Sequence, residues 1–383
     1  MKRIFIILKE DIIDYPPILS ILKVLLNSPN KVIHLGCYSD NAGKEVLMRQ
    51  GVEFVTMPSY DGNGNFLKKL YQQLLFRWRV KKYLKSVHTT QDDLVWLVQA
   101  ETIYLLGALV KKYKTICHFL EFVGPNVNWK YRIVNPSLDL AATLQHAYKV
   151  VCCEYNRAQI AKGIFQLNEL PAILPNKMII DESALDIVPA EIVNLLDEVK
   201  CKTKGKKIIL YQGIFLDKER RLEEFCKAIK YLPEEFVFIA MGRGSVMYED
   251  LKNKYESNRI LFIPFIKPPY HLLVTKMAYI GVLSYFPRKG AIEKTLNPLY
   301  CAPNKIFEYS RFGIPMISND IPALRYVYME HRCGKCVDYP MNTQQIVDTI
   351  NEIKNEYTDF QKGAKRLYES VNVYQIVNEI VCK

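Results

Sequence analysis

The chain has 383 residues, enough for two domains of ordinary size. Its hydrophobic content of 49% and charged content of 24% are those of a globular protein and exclude a disordered or fibrous one. The formal net charge of +12 is the unusual feature. A basic excess favours anionic partners, namely nucleic acid, phosphorylated ligands or an acidic membrane surface.

Several classes of protein are disfavoured by the sequence pattern. No motif of a nucleic-acid-binding fold accompanies the basic charge, so nucleic acid is not an expected partner. No apolar run is long enough to span a bilayer, and the charges at Lys9 and Glu10 interrupt the first apolar run before it could form a signal peptide. The ten cysteines are scattered, which indicates free thiols and a cytoplasmic location. Cys333 and Cys336 form the lone Cys-x-x-Cys pair, a weak zinc or redox signal.

Strand-like and helix-like segments alternate through the first half of the chain. Apolar runs predict strands at Arg3–Leu8, Val32–Cys37, Val52–Met57, Leu94–Val98, Lys114–Phe119 and Lys149–Cys153. Amphipathic patterns predict helices at Pro17–Asn27, Thr102–Lys112, Leu138–Ala147 and Asn156–Phe165. Regular alternation of this kind predicts a doubly wound parallel sheet of the α/β class.

A basic segment, Phe66 to His88, concentrates the positive charge, with seven Lys or Arg residues and no acid. On a helical wheel one face carries Phe66, Leu67, Leu70, Tyr71, Leu74 and Leu75. Two interpretations stay open. The segment lies on an anionic membrane surface, as basic amphipathic helices do, or it is an ordinary surface helix of the first domain.

The second half repeats the alternation. Strands are predicted at Lys207–Gln212, Phe236–Met241, Arg259–Ile263, Tyr279–Leu283 and Ile314–Ser318. Helices are predicted at Pro189–Lys200 and Arg221–Leu232, and in a tail from Thr343 that breaks near Asp359 and resumes over Tyr368–Cys382. The sequence thus predicts two Rossmann-like domains, 1–176 and 177–365, followed by a terminal helix within 366–383.

The run Asn297–Asn319 carries the clearest functional signal. It reads as a loop, a helix that Asn304 caps, and a stop at Gly313 before a short strand. Lys305 adds a positive charge to a helix N-terminus that already attracts anions. Glu308 lies one turn further on the same face, where a carboxylate accepts hydrogen bonds from ribose hydroxyls. The pattern indicates a nucleotide-sugar site; the alternative is a surface pair between the two side chains.

This run resembles the donor-binding signature of the GT-B-fold glycosyltransferases, specifically the retaining family four. The matching residues are Pro303, Lys305, Glu308 and Tyr309, followed by Gly313-x-Pro315. The resemblance implies the GT-B architecture, two Rossmann-like doubly wound domains facing a central cleft, with the final helix crossing back onto the first domain. It also implies that Glu308 holds the ribose and that Lys305 lies near the diphosphate.

Further donor-binding residues are implied by the same resemblance. The strand ending at Gly213 leads to Arg220, which matches a phosphate-binding basic position, and Gly242 begins a glycine turn close to the donor. The alternative is that Arg220 and Arg221 both cap the loop against Glu223. Segment 262–267 corresponds to the place where the family receives the nucleotide base.

The donor sugar is less well defined. Many members of the family carry a second Glu eight residues before the position of Glu308, and Tyr300 stands there in this chain. Asn297 and Tyr300 are therefore candidates for the donor-sugar contacts.

His118 and Glu121 are the candidate catalytic residues. They follow an apolar run whose end is expected to face the cleft, and the resemblance implies that a histidine here contacts the donor sugar. Glu121 would orient the acceptor hydroxyl, and Glu101, after a neighbouring strand, is a lesser candidate. The alternative is a histidine with a purely structural role. No Asp-x-Asp is present, so no metal or other cofactor is expected, and Lys305 with Arg220 would neutralise the leaving group.

The resemblance implies a metal-independent, hexosyltransferase-like enzyme. It would move a sugar from a nucleotide-diphosphate sugar to a saccharide or lipid-linked acceptor, with retention, in surface polysaccharide or glycoconjugate biosynthesis. Two alternatives stay open: a sugar-nucleotide epimerase of the same fold, and a catalytically silent scaffold or basic nucleic-acid-binding protein.

Overall fold

The computed structural model describes residues 2–37, 41–58, 65–180, 185–216 and 218–382, without the side chains of 41–43. The chain divides into two compact units. One unit comprises Met1–Ile179 together with Asn372–Lys383, and the other comprises Ile180–Val371. The last helix of the chain thus belongs to the first unit, whereas the rest of the second half forms a unit of its own.

The first unit is built on a seven-stranded sheet in which every pairing is parallel. Its spatial order is β3-β2-β1-β4-β5-β6-β7. The strands are β1 (Arg3–Asp11), β2 (Lys31–Cys37), β3 (Glu53–Thr56), β4 (Leu94–Val98), β5 (Lys114–Phe119), β6 (Lys149–Cys152) and β7 (Ala172–Ile173). The two central strands are apolar and buried on both faces, as parallel strands covered by helices must be.

The helices of this unit before the second sheet are α1 (Pro16–Leu26), α2 (Asn41–Arg49), α3 (Phe66–Ser86), α4 (Ala100–Leu106), α5 (Trp129–Val134), α6 (Leu140–Gln145) and α7 (Tyr155–Phe165). Short 3-10 helices cover Ile12–Asp14 and Gly107–Lys111. The predicted helix Thr102–Lys112 is therefore two elements, with the α-helical part ending at Leu106 before a glycine, a weak helix former.

The second unit repeats the pattern with a six-stranded, wholly parallel sheet of order β10-β9-β8-β11-β12-β13. Its strands are β8 (Lys207–Gly213), β9 (Phe236–Gly242), β10 (Ile260–Pro264), β11 (Ala278–Leu283), β12 (Met316–Asn319) and β13 (Gly334–Val337). Its helices are α8 (Ala190–Lys202), α9 (Glu223–Ala228), α10 (Val246–Tyr255), α11 (His271–Thr275), α12 (Ile292–Leu299), α13 (Asn304–Arg311), α14 (Pro322–His331), α15 (Thr343–Asn355) and α16 (Tyr357–Ser370). The prediction of two doubly wound parallel sheets is confirmed.

The C-terminal tail differs from its predicted boundaries. The first break falls at Glu356 rather than near Asp359, and a second break precedes the last helix, α17 (Val373–Cys382), which begins five residues later than predicted. α17 packs against α1 in the first unit and buries Val373, Val377, Ile380 and Val381. The Nζ of Lys2 donates to the carbonyl oxygen of Val381 at 3.0 Å, which ties the last helix to the start of the first strand.

Strand order reverses once in each sheet, and these two places determine where ligands can bind. The reversal lies between β1 and β4 in the first sheet and between β8 and β11 in the second. Loops on the two sides of such a reversal diverge and leave a crevice at the carboxyl ends of the strands. Residues that follow β1, β4, β8 and β11 are therefore the first place to look for a site.

Candidate functional site

The second reversal, between β8 and β11, is bordered by α13. The extended backbone of Pro303 (φ −74°, ψ 136°) forms the N-cap of α13, and no side chain caps the helix. The prediction that Asn304 is the cap was wrong, because Asn304 is already the first helical residue. The first-turn N–H groups of α13 thus lack a side-chain acceptor and leave a positive helix end.

Lys305, in that first turn, reaches across to the end of β8. Gly213 has a φ of +139°, a backbone conformation that favours glycine, and the Nζ of Lys305 lies in the space that a Cβ there would take. The ammonium group lies 4.9 Å from the ring centre of Tyr211 and 5.6 Å from that of Tyr285. Burial, with repulsion from Arg220, lowers the pKa of Lys305 to about 7.

Arg220 is a second buried cation at the same place. Its guanidinium lies 4.1 Å from the ring centre of Tyr285, and its Nη1 donates to the carboxylate of Glu219 at 2.5 Å. Its Nε is buried and has no hydrogen-bond acceptor among the described residues. The capping alternative for Arg220 was wrong, because Glu223 instead accepts hydrogen bonds from the side chains of α10 at Lys254 and Tyr255.

Glu308 is a buried carboxylate with a fixed set of partners. It is 9% exposed, and its Oε2 accepts a hydrogen bond of 2.5 Å from the amide of Gln212 at the end of β8. Its Oε1 lies 3.3 Å from Nε2 of His271 on α11. The hydroxyl of Thr275 donates to the other side of the Gln212 amide at 2.7 Å and so orients it. The alternative of an exposed surface pair with Lys305 was therefore wrong.

The charge of Glu308 is maintained although the group is buried. Burial alone would raise the pKa of this carboxyl, but His271, Lys305 and the Gln212 amide outweigh it and hold the pKa below its usual value. An ionised carboxylate thus lies one helical turn from Lys305. Such a group accepts hydrogen bonds and repels phosphate, whereas the two cations attract phosphate.

The remaining predicted donor residues are Gly242, Asn297 and Tyr300. Gly242 ends β9, where a Cβ would collide with the backbone oxygen of Gly213, so glycine is required there for strand packing. Asn297 lies in α12, and Tyr300 forms the C-cap of that helix; both are half-buried. Their contacts with a donor stay predictions.

Comparison with solved structures identifies the architecture. HepE from Anabaena, in complex with UDP, superposes with a TM-score of 0.68 at 14% identity, over 99% of this chain and 98% of that one. The S. aureus MnaA–UDP structure gives 0.63 at 12% identity, over 100% and 95%, and WaaG, a glycosyltransferase involved in lipopolysaccharide biosynthesis, gives 0.60 at 12%, over 99% and 98%. No family model and no curated protein matches the sequence.

The chain has the GT-B fold. The two Rossmann-like units inferred from the sequence are those of this fold. Because identities are 12–14%, the likeness concerns architecture, and the chemistry has to be argued from the residues of this chain.

In the first unit of this GT-B chain, His118 lies where a catalytic role is hard to support. It is inside β5, paired with Val98 and Val151, and is 1% exposed. Its ring packs 6.0 Å from that of Trp96, neither ring nitrogen has a partner within the described chain, and burial lowers its pKa to about 3. The expectation that this ring faces an open site was wrong. Glu121, beyond the strand end, is exposed, and its role stays a prediction.

A cluster of charged residues lies at the first reversal; the sequence interpretation named one member, Glu101, as a lesser candidate and missed the other two. We call Lys9, Glu10 and Glu101 the carboxylate–lysine cluster. Lys9 is 2% exposed; its Nζ bonds the carboxylate of Glu101 and lies 3.7 Å from Oε1 of Glu10. Burial raises the pKa of Glu10 to about 7, opposed by Lys9 and reinforced by Glu101. The signal for this cluster in the sequence was the pair of adjacent charges, Lys9 and Glu10, directly after the apolar run that ends at Leu8.

Gln99, between β4 and α4, has a φ of +70°, a conformation that a non-glycine residue rarely adopts. This backbone brings the first turn of α4, which carries Glu101, toward the end of β1. The carboxylate–lysine cluster is thus assembled by the strand-to-helix turn.

The apolar face that the sequence predicts for the basic helix α3 is not the face through which the helix packs in the first unit. Its buried residues are Gln73, Phe76, Val80 and Leu84. The predicted face, which included Leu67, Tyr71 and Leu74, is largely exposed. None of the helices in the described part of the chain combines the length and apolarity that a membrane span needs.

In the described ranges, no three His, Cys, Asp or Glu side chains are grouped so that they could hold a metal ion. Cys333 is buried, and the thiol of Cys336 lies 3.7 Å from the hydroxyl of Ser318. Independence from metal stays a prediction for solution experiments.

The raised pKa of Glu10 makes stability depend on pH. A carboxyl whose folded pKa lies above its unfolded value stabilises the fold at low pH, and that contribution is lost as pH rises through about 7. We expect the wild-type melting temperature to fall between pH 5.5 and 8.5 by more than that of Glu10→Gln, with the difference on the order of a few degrees. Glu169→Gln, at an exposed position of the same unit, is the matched control. Parallel curves for wild type and Glu10→Gln would contradict this.

Proposed function

We propose that the chain is a glycosyltransferase that moves a sugar from a nucleotide-diphosphate sugar to a saccharide or lipid-linked acceptor. The observation that carries the proposal is the grouping of Lys305, Arg220 and the ionised Glu308 at the strand-order reversal of the second sheet. Support also comes from the architecture, since the HepE and MnaA structures of the same fold hold UDP, and another HepE structure holds UDP-glucose.

The charges match the parts of such a donor. A diphosphate would lie against Lys305, Arg220 and the uncapped N–H groups of α13, which together neutralise its negative charge. The ribose would lie one turn along, where Glu308 accepts hydrogen bonds from its hydroxyls. Placing the carboxylate at the diphosphate instead would set like charges together, so we propose that the donor lies along α13 in this direction.

The reaction would use the same charges. The bond between the anomeric carbon and the diphosphate oxygen breaks, and a bond forms between that carbon and the acceptor hydroxyl oxygen. The hydroxyl proton passes to the departing diphosphate or to water. Charge that develops on the leaving group is stabilised by Lys305 and Arg220, which are in place before the reaction. We further propose that the reaction retains configuration and needs no metal. The enzyme would be cytoplasmic and act in surface polysaccharide or glycoconjugate synthesis.

A thermal-shift screen tests the donor class. UDP-, GDP-, ADP- and TDP-sugars are compared, each with and without magnesium, and we expect one nucleotide family to stabilise the protein in both conditions. In the variant Glu308→Gln we expect that nucleotide to bind about 10- to 100-fold more weakly, because hydrogen bonds to a charged acceptor are lost. Glu369→Gln, exposed and in the same unit, is the matched control. Unchanged affinity would exclude the ribose role of Glu308, and no stabilisation by any sugar nucleotide would favour a silent scaffold.

Binding of the donor should take up a proton. Lys305 has a pKa of about 7 without ligand, and a diphosphate beside it favours the charged form and raises that pKa. We expect UDP affinity to weaken above pH 7, by up to about tenfold per pH unit, and titration calorimetry in buffers of different ionisation enthalpy to show proton uptake. Lys305→Met should abolish the uptake, whereas Lys204→Met, on an exposed loop, should retain it. Affinity independent of pH in the wild type would contradict the assignment.

A further inference from the structure

α3 and α5 of the first unit present an exposed apolar surface that the fold does not use. From α3 it contains Leu67, Tyr71, Leu74 and Trp78, and from α5 it contains Trp129 and Ile133; we call these six side chains the apolar stripe. Their exposed fractions run from 45% at Ile133 to 71% at Leu67. Scattered exposed apolar residues are ordinary, but a continuous row of large ones marks an interaction surface.

The stripe is continuous because of how the helices are held. The four α3 positions are spaced by four, three and four residues, so they lie on one line along the helix. Phe66 and Trp129 pack with their rings 5.7 Å apart, and Arg77 donates to the carbonyl oxygen of Val134, which fixes α5 beside α3. The opposite face of α3, through Phe76 and Val80, is fully buried in the core of the unit. The outward direction of the stripe is therefore set by packing.

Positive charge surrounds the stripe, and acid is absent from the same segments. Residues 65–88 and 125–138 contain nine Lys or Arg side chains, seven on α3 and two on α5, and no Asp or Glu. Lys82 lies 4.8 Å from the ring centre of Trp78, and Lys85 continues the line of the stripe, so the apolar row passes directly into a cationic one. Lys68, Lys130 and Arg132 are exposed on the same two helices.

We propose that the apolar stripe docks the protein on an anionic lipid bilayer. Leu67, Leu74 and Ile133 would enter the acyl boundary, Tyr71, Trp78 and Trp129 would lie at the headgroup level that such rings prefer, and the flanking cations would contact anionic headgroups. This places the first unit on a membrane surface by peripheral contact. It is independent of the transferase proposal, since none of these residues belongs to the donor site.

Other occupants fit the surface less well. A second copy would bring two rows of exposed cations together, which opposes self-association. Nucleic acid would use the cations and the aromatic rings, but it offers nothing apolar to the leucines and the isoleucine. A lipid bilayer satisfies the aliphatic, aromatic and cationic parts of the surface together.

Two of the chain's three tryptophans report on this contact. Trp78 and Trp129 lie in the stripe, whereas Trp96 is fully buried. On adding vesicles that contain about 30% phosphatidylglycerol, we expect a blue shift of tryptophan emission and quenching by brominated lipid, and neither effect with pure phosphatidylcholine. Trp78→Phe and Trp129→Phe should each remove part of the shift.

Cosedimentation of the full chain with these vesicles separates the contributions. Leu67→Gln with Leu74→Gln alters only exposed side chains, and we expect at least a tenfold loss of vesicle affinity with unchanged melting temperature. Lys82→Gln with Lys85→Gln should weaken binding and flatten its salt dependence. The matched control is Tyr326→Gln with Met329→Gln, two exposed apolar residues one helical turn apart on α14 in the second unit, which should bind as the wild type does.

Several results would overturn the proposal. These are no binding to anionic vesicles, equal binding to neutral ones, or binding that neither the leucine double variant nor the lysine double variant weakens. Self-association that Leu67→Gln with Leu74→Gln abolishes, in the absence of vesicle binding, would assign the surface to a second copy. RNA binding that depends on Lys82 and Lys85, again without vesicle binding, would assign it to nucleic acid. Nucleotide binding is measured on the same samples, so that failure of the membrane proposal can be distinguished from failure of the transferase proposal.

Discussion

The arrangement of the second unit depends on one buried carboxylate. Glu308 joins α13 to the end of β8 through Gln212 and to α11 through His271, so three elements meet at a single charged group. Because Thr275 fixes the Gln212 amide, the amide presents its N–H to Glu308 rather than its oxygen. That bond and the hydrogen bond from the Tyr309 hydroxyl to the carbonyl oxygen of Leu210 hold α13 against β8, and Lys305, one turn before Glu308, lies over Gly213.

The two strand-order reversals carry different chemistry on the same architecture. The second reversal combines Lys305 and Arg220 over tyrosine rings, which suits an anionic ligand. The first holds the carboxylate–lysine cluster, in which Glu10 titrates near neutral pH, which suits hydroxyl groups better than phosphates. A fold that repeats one supersecondary pattern thus presents different ionisable groups at equivalent places.

Features that depend on neighbouring residues could be predicted from the sequence, whereas contacts between distant residues could not. The buried strands, such as Leu94–Val98, were predicted because their apolar runs are local, whereas β7 has only two residues and β13 (Gly334–Val337) lacks an apolar run. Lys305 and Glu308 were found because their spacing is local too. The prediction for His118 was wrong because an apolar run predicts a strand but does not show how deeply a polar side chain within it is buried. The contact of Lys9 with Glu101 spans 92 residues and depends on the fold.

We propose that the crevice around Glu308 holds a nucleoside diphosphate, and a crystal structure of the protein with UDP is the experiment that tests this. We expect ribose hydroxyl oxygens within hydrogen-bonding distance of the Glu308 carboxylate, with the diphosphate on Lys305 and on the Nε of Arg220, which has no acceptor in the described part of the chain. UDP bound elsewhere, or bound in the reverse direction with its phosphates at Glu308, would contradict it.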